Sequence, residues 1–287
     1  MFTPKYLAPK TLEEACSMLY DYRKEARIIA GGTDLLVQMK HGEVLPNIII
    51  NIGGIVDQDY INFEERSGLR IGAQATIHSI ASSSLIRARF GILAQAASEL
   101  GTPRIRRRAT IAGNLCHASP SADIAPALIV LGASLKMVAV DRERTVAVED
   151  FFSGPGQTVL NPDEIVTEIQ VPSLAPQSGG VYFKQTVRKT LDLAIVGVAV
   201  VTTMDGDILR AIKIALGAVG ATPLRAKAAE GILRDKKVSN ELLQQAGKAA
   251  SDESSPIDDV RSSSEYRRRM VEVLTIRAIE QAIGQVK

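Results

Sequence analysis

The sequence predicts an α+β fold, with mixed strand and helix units first and an antiparallel sheet carrying helices last. Two segments, RIIAGGTDLLVQMK at residues 27–40 and TIAGNLCHASPSADIAPALIVLGA at 110–133, combine a glycine, a hydroxyl and a helical run in the manner of a strand-to-helix turn. Nearer the C-terminus, two strand-like segments flank the turn DGD at 205–207, and helical patterns follow. The chain has 287 residues, of which 46% are hydrophobic, so it can form two or three domains.

The first 57 residues predict a small α/β unit. Thr11 and Glu14 form a capping box at the start of the helix TLEEACSMLYDY, in which Leu12, Ala15 and Leu19 fall at helical spacing. The apolar start of RIIAGGTD and the run NIIIN predict strands. The stretch GGIVDQ marks the exit from this unit.

The second glycine-bearing segment begins with small side chains, so a bulky ligand could approach the backbone near Thr110 and Gly113. Ser119 and Pro120 predict the start of the following helix, with Asp123 in its first turn. A loop that leads into a helix N-terminus offers unpaired N–H groups and a partial positive charge, which suit a phosphate. A turn of this kind before a buried helix is also a common structural feature, so one such segment does not establish a ligand site.

The presence of two such turns favours a ligand, because together they could hold the two ends of one diphosphate. Neither turn contains GxGxxG or GxxxxGK[ST], so Rossmann and Walker nucleotide sites are not supported. The hypothesis therefore requires that the two turns, far apart in the chain, lie together in space.

Residues 58–175 predict a second α+β unit. LRIGA and TIHSI predict strands, with His78 as a partly buried structural imidazole, and GILAQAASELGTP predicts a helix that Gly101 and Pro103 end. SLKMVAV and TVAVEDFF predict a β-hairpin, GPGQT a loop and IVTEIQVP a strand. The run RIRRR at 104–108 suits a phosphate, an acidic partner surface or solvent equally well.

Residues 176–287 begin with the linker SLAPQSGG, which predicts a domain boundary. YFKQTVRK, DLAIVGVAVVTTM and ILRAIKIALGAVG predict an antiparallel sheet, and three helices follow on one of its faces. The last helix is predicted to begin with a capping box from Ser262 to Glu265. The side chains expected to face inward from it are Met270, Val273, Leu274 and Ala278.

The composition excludes several functions. There are 34 basic and 32 acidic side chains, so the net charge of +2 gives no field that would favour nucleic acid. The two cysteines, Cys16 and Cys116, cannot supply the four thiolates of an iron–sulfur cluster. No N-terminal targeting pattern is visible, and the apolar runs are shorter than the roughly 20 residues that cross a bilayer. We therefore expect a cytoplasmic protein.

Several motifs stand in the order of a known family. AGGTDLL and TIAGNLCHASPSAD, with IGAQATIHSI between them, resemble the FAD-binding medium subunit of the molybdenum hydroxylases, the xanthine dehydrogenase and carbon monoxide dehydrogenase family. DEIVTEIQVP, YFKQTVRKTLDLAIVGVAV and SSSEYRRRMVEVLTIRAIEQA extend the resemblance over nearly the whole chain. It implies a two-lobed FAD-binding domain of the PCMH type, like that of vanillyl-alcohol oxidase, at 1–57 and 58–175. A C-terminal domain of the CO dehydrogenase flavoprotein type would occupy 176–287.

The resemblance implies that FAD lies between the two turns. Its pyrophosphate would contact residues 31–34 from the first turn, and Thr110 and residues 113–114 from the second, while Cys116 and His117 would face the flavin. The complete set of predicted cofactor-binding residues is Ile28, Ile29, Ala30, Gly31, Gly32, Thr33, Asp34, Leu35, Leu100, Ala109, Thr110, Gly113, Asn114, Cys116, His117, Asp123, Ile165, Val166 and Lys184.

Asp123 lies later in the second segment, and Ile165, Val166 and Lys184 lie outside both segments. Asp123 would accept a hydrogen bond from a ribityl or ribose hydroxyl, since a carboxylate is only an acceptor. Ile165 and Val166 would lie near the flavin ring, and Lys184 in the FKQ motif would reach the site from the C-terminal domain. FAD carries the redox chemistry itself, so no catalytic acid, nucleophile or metal ligand is expected in this chain.

The resemblance also implies partners. A large subunit would carry molybdopterin and the substrate, a small subunit would carry [2Fe-2S] clusters, and the assembly would be a dimer of heterotrimers. This chain would pass electrons from the clusters through FAD to a final acceptor. The segment RKTLD at 188–192 departs from the more acidic sequence of xanthine dehydrogenase, so the acceptor is NAD or another carrier.

Two other functions agree with the same motifs. A self-contained FAD oxidase would have its own substrate pocket, and a non-redox nucleotide-binding module would regulate a complex through its helix N-termini. Flavin bound to the purified protein would exclude the regulator. Reduction of that flavin by a substrate without partners would favour the oxidase.

Overall fold

The computed structural model describes residues 3–188 and 192–286. Residues 189–191, the centre of the RKTLD segment, lie outside the described residues. Within the described ranges the strands form sheets of three, five, five and two strands. The three larger sheets follow one another along the chain.

The first sheet is parallel and belongs to the N-terminal lobe. Its elements are β1 (Lys5–Leu7), α1 (Leu12–Tyr22), β2 (Ala26–Ile29), α2 (Leu35–His41) and β3 (Ile48–Asn51). The strand order is β1-β3-β2, and the isoleucines of the central strand are buried. Helix α1 begins where predicted because the Thr11 hydroxyl accepts the N–H of Glu14, and the helix buries Ala15, Cys16 and Leu19.

The second sheet is antiparallel, with strand order β4-β5-β10-β6-β7. The elements of this lobe are β4 (Ile61–Glu64), β5 (Gly68–Gly72), α3 (Ile77–Ser82), α4 (Ser84–Arg89), α5 (Gly91–Glu99), α6 (Pro103–Arg106), α7 (Ile111–His117), α8 (Ile124–Val130), β6 (Ser134–Val138), β7 (Glu143–Ala147), β8 (Phe152–Gly154), β9 (Gln157–Thr158) and β10 (Ile165–Val171). The predicted hairpin is confirmed as β6 and β7, whose register pairs Ser134 with Ala147. The predicted GPGQT loop instead connects the short hairpin β8–β9.

TIHSI forms a helix, so the prediction of a strand there is wrong. The Thr76 hydroxyl accepts the N–H of Ser79 at 3.0 Å and caps α3, and Ile77 and Ile80 then face the core at helical spacing. His78 is exposed on the other side of the helix, so the prediction of a partly buried imidazole is also wrong.

Residues 111–114 belong to helix α7 and do not form an open loop. The Thr110 hydroxyl accepts the N–H of Gly113 at 3.1 Å and so caps α7. Helix α7 ends at His117 because Ala118 adopts the left-handed conformation, with φ of 51°. The second turn is therefore more tightly structured than the sequence pattern indicates.

The helix predicted to begin at Ser119 begins later, at Ile124. Asp123 occupies the position before the helix, but its side chain makes no capping hydrogen bond. It bonds instead to Tyr182 and Lys184 of the C-terminal domain, so tertiary contacts override the local capping role.

The third sheet is antiparallel and forms the C-terminal domain. Its elements are β11 (Ser178–Gln185), β12 (Val196–Asp205), β13 (Ile208–Gly217), β14 (Leu224–Arg225), α9 (Lys227–Leu233), β15 (Lys236–Lys237), α10 (Asn240–Glu253) and α11 (Ser264–Gly284). The order is β11-β12-β13-β14, and β15 pairs with β13. Because β11 begins at Ser178, the SLAPQSGG segment is a shorter linker than predicted.

Both faces of the third sheet are covered. Helices α9 and α11 pack on one face, while α5 and α8 of the second lobe pack on the other. Successive side chains of β12 alternate accordingly, with Val198 and Val200 in the C-terminal core and Ala199 and Val201 in the core of the second lobe. The N-terminal lobe has a core of its own around Ile48.

The last helix begins one residue later than the predicted capping box. Ser263, and not Ser262, accepts the N–H of Tyr266 and caps α11. Of the predicted inward side chains, Leu274 and Ala278 are buried, whereas Met270 and Val273 are only partly buried. None of the helices in the described part of the chain is both long and apolar enough to cross a membrane.

Candidate functional site

The two glycine-bearing turns meet in space, as the hypothesis requires. A Cβ atom at Gly31 would lie only 1.9 Å from the carbonyl oxygen of Arg108 and 3.1 Å from the Cα of Ala109. The second turn is held to its own lobe by the N–H of Ile77, which donates to the Ala109 carbonyl at 2.9 Å. Direct backbone contact between the lobes at Gly31 therefore fixes the spacing of the two turns.

A cavity of about 580 Å³ opens between the two turns. This volume is within the range of small-molecule and cofactor sites. Four predicted residues, Leu100, Ala109, Asp123 and Lys184, lie outside its lining. The predicted residues that line it are Ile28, Ile29, Ala30, Gly31, Gly32, Thr33, Asp34, Leu35, Thr110, Gly113, Asn114, Cys116, His117, Ile165 and Val166.

The two turns differ in the hydrogen bonds available to a ligand. In the first turn, the N–H groups of Thr33, Asp34 and Leu35 have no acceptor among the described residues. In the second turn, the N–H groups of residues 111–114 are already bonded, two to the β5–α3 connection and two to Thr110. An anion in the cavity would therefore take its backbone hydrogen bonds mainly from the first turn.

Asn114 supplies a polar atom of a different kind. Its Oδ1 is buried, and no hydrogen-bond partner for it occurs in the described part of the chain. A buried polar atom without a partner is destabilising, so a ligand hydroxyl or N–H in the cavity would satisfy it.

Asp34 of the first turn and His117 of the second both line the cavity and lie close together. The Oδ1 of Asp34 lies 3.7 Å from the Nε2 of His117, and both side chains are partly exposed. Cys116 directly precedes His117 in the sequence. Burial raises the pKa of the Cys116 thiol to about 12. Cys116 is therefore a neutral thiol near neutral pH and not a nucleophilic thiolate.

Asp123 and Lys184 form a buried ion pair between the second lobe and the C-terminal domain. The Nζ of Lys184 donates to Asp123 Oδ2 and to the Glu99 carbonyl, both at 2.9 Å, and the hydroxyl of Tyr182 donates to Asp123 Oδ1 at 2.8 Å. Burial raises the pKa of Asp123 to about 6, although Lys184 opposes the shift. The sequence reasoning missed Tyr182, but the YFK motif contained the signal, because alternate strand residues share a face.

A second set of residues missed by the sequence reasoning forms one wall of the cavity. Residues 156–166 contribute Gly156, Thr158, Leu160, Asn161, Pro162 and Glu164, in addition to the two predicted positions. The motif NPDEIV was recognised only for its two apolar residues. The polar part of the motif gave no local signal of its contact with the cavity.

Comparison with known proteins identifies both parts of the chain. Residues 1–174 match the family described as the FAD binding domain in molybdopterin dehydrogenase, and residues 181–282 match the CO dehydrogenase flavoprotein C-terminal domain. The chain belongs to the FAD-binding medium subunits of the molybdenum hydroxylase family. This medium subunit is an oxidoreductase component, and the predicted fold class and cofactor, FAD, are confirmed.

Several relatives match the medium subunit over nearly its whole length. It is 34% identical to the carbon monoxide dehydrogenase medium chain of Hydrogenophaga pseudoflava, with 97% of this chain and 96% of the relative covered. The xanthine dehydrogenase FAD-binding subunit of Escherichia coli O157:H7 is 28% identical, with the same coverage. The solved carbon monoxide dehydrogenase from H. pseudoflava aligns with a TM-score of 0.96 and 35% identity, covering 99% of this chain and 98% of the other.

The cavity of the medium subunit fits FAD. The free N–H groups of the first turn suit a pyrophosphate, and the unpartnered Asn114 Oδ1 suits a hydroxyl or N–H donor. The described residues contain no group of three His, Cys, Asp or Glu side chains that could hold a metal ion.

Proposed function

We propose that this medium subunit carries electrons between [2Fe-2S] clusters on a small partner subunit and a final acceptor. A large partner subunit would bind molybdopterin and the substrate, and the assembly would be a dimer of heterotrimers. The acceptor is NAD or another carrier. The relatives support this proposal, because they are medium chains or FAD-binding subunits of dehydrogenases.

The observation that carries the proposal is the cavity shared by the two turns. It has one wall from each lobe, and a dinucleotide placed in it would span the contact at Gly31. When bound, FAD supplies the redox chemistry, while the chain binds it, orients it and limits the access of water. Asn114 and the N–H groups of residues 33–35 would hold its polar centre.

We further propose that all the predicted residues contact FAD, including the four outside the cavity lining. Leu100 follows Glu99, whose carbonyl accepts from Lys184, and Lys184 is paired with Asp123. These residues would meet the part of the cofactor that extends beyond the cavity. The raised pKa of Asp123 makes that carboxyl able to bind a proton near pH 6.

Flavin reduction with and without partners tests this function. The purified chain should be yellow and should keep its flavin oxidised when candidate substrates are added. Bleaching should occur only after the two partner subunits are supplied. Bleaching by substrate with this chain alone would favour the self-contained oxidase, and a colourless chain that takes up no FAD would favour the regulatory module.

A further inference from the structure

The guanidinium of Arg267 is buried in the C-terminal domain. Arg267 lies near the start of α11, and its side chain is only 2% exposed. Its Nε has no hydrogen-bond partner in the described part of the chain. A buried cation with an unsatisfied donor costs free energy. Arg267 is therefore better explained by the segments that it holds than by a contribution to stability.

The guanidinium joins two strands of the third sheet beyond the end of their pairing. The ladder between β12 and β13 ends with the pair Gly197 and Gly217. The next residue, Ala218, adopts the left-handed conformation, with φ of 63°, so the extended strand stops there. The Nη1 of Arg267 donates to the carbonyls of Ile195 and Ala218, both at 3.1 Å, and so holds the two strand ends together.

Asp259 fixes the direction of the guanidinium. The Nη2 of Arg267 donates to Asp259 Oδ1 at 2.7 Å, and Arg261 donates to Oδ2 through Nε and Nη2 at 3.1 and 2.7 Å. The carboxylate is thus held by two guanidinium groups. Charge-assisted bonds of this kind are strong, so Arg267 points towards the two strand ends in a fixed geometry.

The backbone of Ala218 connects Arg267 with Asp123. Its carbonyl accepts from Arg267, and its N–H donates to the Pro120 carbonyl at 2.7 Å. Pro120 lies in the connection between α7 and α8, three residues before Asp123. Displacement of the Ala218 backbone would therefore move the segment that carries Asp123.

The backbone of Ile195 connects Arg267 with Lys184. Its carbonyl accepts from Arg267, and its N–H donates to the carbonyl of Gln185 at 2.9 Å. Gln185 directly follows Lys184 on β11, and the Lys184 ammonium donates to Asp123 at 2.9 Å. Both hydrogen-bonded connections therefore end at the same buried ion pair.

We propose that Arg267 is a positioning residue for the cofactor site, because it fixes the ends of β12 and β13 and so sets the geometry of the Asp123–Lys184 pair. The inference rests on the proposed function, since it assumes that this pair contacts FAD. Binding groups must be held within about 0.5 Å of their working positions by the hydrogen bonds behind them. Arg267 lies outside the cavity lining, so it acts on the cofactor only through the pair.

A double-mutant cycle in FAD affinity tests the proposal. The Kd for FAD is measured by titration of flavin-free chain for the wild type, Arg267→Met, Lys184→Met and the double variant. Methionine removes the donors of Arg267, and Asp259 keeps Arg261 as a cationic partner. We expect Arg267→Met to raise the Kd about tenfold in the wild-type background but less than about threefold in the Lys184→Met background. Residues that act independently would give the same factor in both backgrounds.

A milder pair of variants serves if the double variant does not fold. Arg267→Lys keeps the charge but loses the planar guanidinium that reaches both strand ends. Tyr182→Phe removes the hydroxyl that donates to Asp123 and leaves Lys184 in place. The combined rise in the Kd for FAD should again be smaller than the product of the two separate rises.

Arg268→Met is the matched control. Arg268 is the next residue of α11 and also donates to a carbonyl, that of Ser251 on α10, at 3.2 Å. This contact joins two helices and does not involve the strand ends. Arg268→Met should therefore leave the Kd for FAD unchanged. Urea denaturation of every variant establishes that the chain used in the titration is folded.

The outcomes separate the inference from the function on which it rests. A wild-type chain that binds no FAD would contradict the proposed function itself. A wild-type chain that binds FAD, but whose affinity is unchanged in Arg267→Met, would overturn the inference alone. So would an equal effect of Arg267→Met with and without Lys184, because Arg267 would then act as a general structural residue.

Discussion

Gly31 is the residue on which the geometry of the site depends most. The backbone of the second lobe approaches it so closely that a Cβ atom would overlap the Arg108 carbonyl, at 1.9 Å. Neither partner in this contact is a flexible side chain, so the overlap could be relieved only by moving the lobes apart. Gly31 thus sets both the lobe contact and the width of the cavity.

We predict that Gly31→Ala lowers the free energy of unfolding by about 1–3 kcal/mol and weakens FAD binding at least about tenfold. Urea denaturation and FAD titration would measure the two effects. Gly54→Ala is the control, because a Cβ there would meet no atom within 4 Å. Unchanged FAD affinity in Gly31→Ala would show that the lobe contact does not shape the site.

The lowered pKa of Glu164 predicts that the stability of the chain depends on pH. Its pKa in the folded chain is about 2 against an ordinary value of 4.5, so its stabilisation is present above the ordinary value and is lost as the pH falls towards 2. Glu164→Gln should therefore lower the free energy of unfolding by up to about 3 kcal/mol near neutral pH. The difference from wild type in urea denaturation should shrink in acid. An equal difference between variant and wild type at neutral and at acid pH would contradict the lowered pKa of Glu164.

Helix starts show how far local sequence predicts an element. The Thr11 cap was predicted correctly, because its hydroxyl and its bonding partner are three residues apart and nothing competes for either. The last helix offered three consecutive serines at 262–264, and the structure uses Ser263. The helix predicted to begin at Ser119 begins at Ile124, and Asp123 does not cap it because partners from the C-terminal domain take its carboxylate.

The two turns and most of the cavity could be predicted because their residues stand in short contiguous motifs. The wall formed by residues 156–164 could not, because it is held by a contact between Arg144 on β7 and Glu164, which lie 20 positions apart in the sequence. Strand alternation in the YFK motif puts Tyr182 on the same face as Lys184, but it does not identify their shared partner Asp123, which lies 59 positions from Tyr182 in the sequence. Pairings of this kind depend on the tertiary arrangement.

Thr110 caps helix α7 at the second turn, and we predict that this cap matters for FAD binding. Thr110→Val removes the hydroxyl that accepts the Gly113 N–H and should cost about 1 kcal/mol of stability. FAD binding should weaken as well, because Thr110 and Gly113 line the cavity. Thr102→Val removes the equivalent cap of α6 outside the cavity lining, so it should destabilise the chain without changing the Kd for FAD. Equal effects of both variants on the Kd would count against the proposed placement of FAD.

The C-terminal domain completes the FAD-binding domain by covering its helices α5 and α8. It also supplies the two groups that hydrogen-bond to Asp123, a carboxylate that is only 4% exposed. A buried carboxylate without a cationic partner is strongly destabilising. The two domains are therefore expected to unfold together.

Lys184→Met tests this coupling. The pKa of Asp123 is already raised in the folded chain, and loss of Lys184 would raise it further. The folded state binds the proton more tightly than the unfolded state, so stability falls as the pH rises from the ordinary value of 3.8 through the raised pKa. Because the pKa of the variant lies above the wild-type value of about 6, its loss of stability relative to wild type grows above that pH. We expect a loss of about 3 kcal/mol in mildly alkaline buffer and a smaller loss in mild acid.

Lys237→Met is the control for that experiment, because its partner Asp207 and Lys237 itself are both largely exposed. Removal of an exposed pair should cost less than about 1 kcal/mol at either pH. Urea denaturation followed by two probes, one in each domain, would report both stability and coupling. Separate transitions for the two domains in the wild type would contradict the expected coupling.

The stoichiometry of FAD binding tests the whole account most directly. Calorimetric titration of flavin-free chain should give one FAD per chain in the wild type. A Gly113→Val chain should remain folded and bind none, because Gly113 lines the cavity and a Cβ there would lie only 2.8 Å from the Thr110 hydroxyl beside it. A wild-type chain that takes up no flavin, or a Gly113→Val chain that still binds one FAD, would show that the two turns do not hold the cofactor between them.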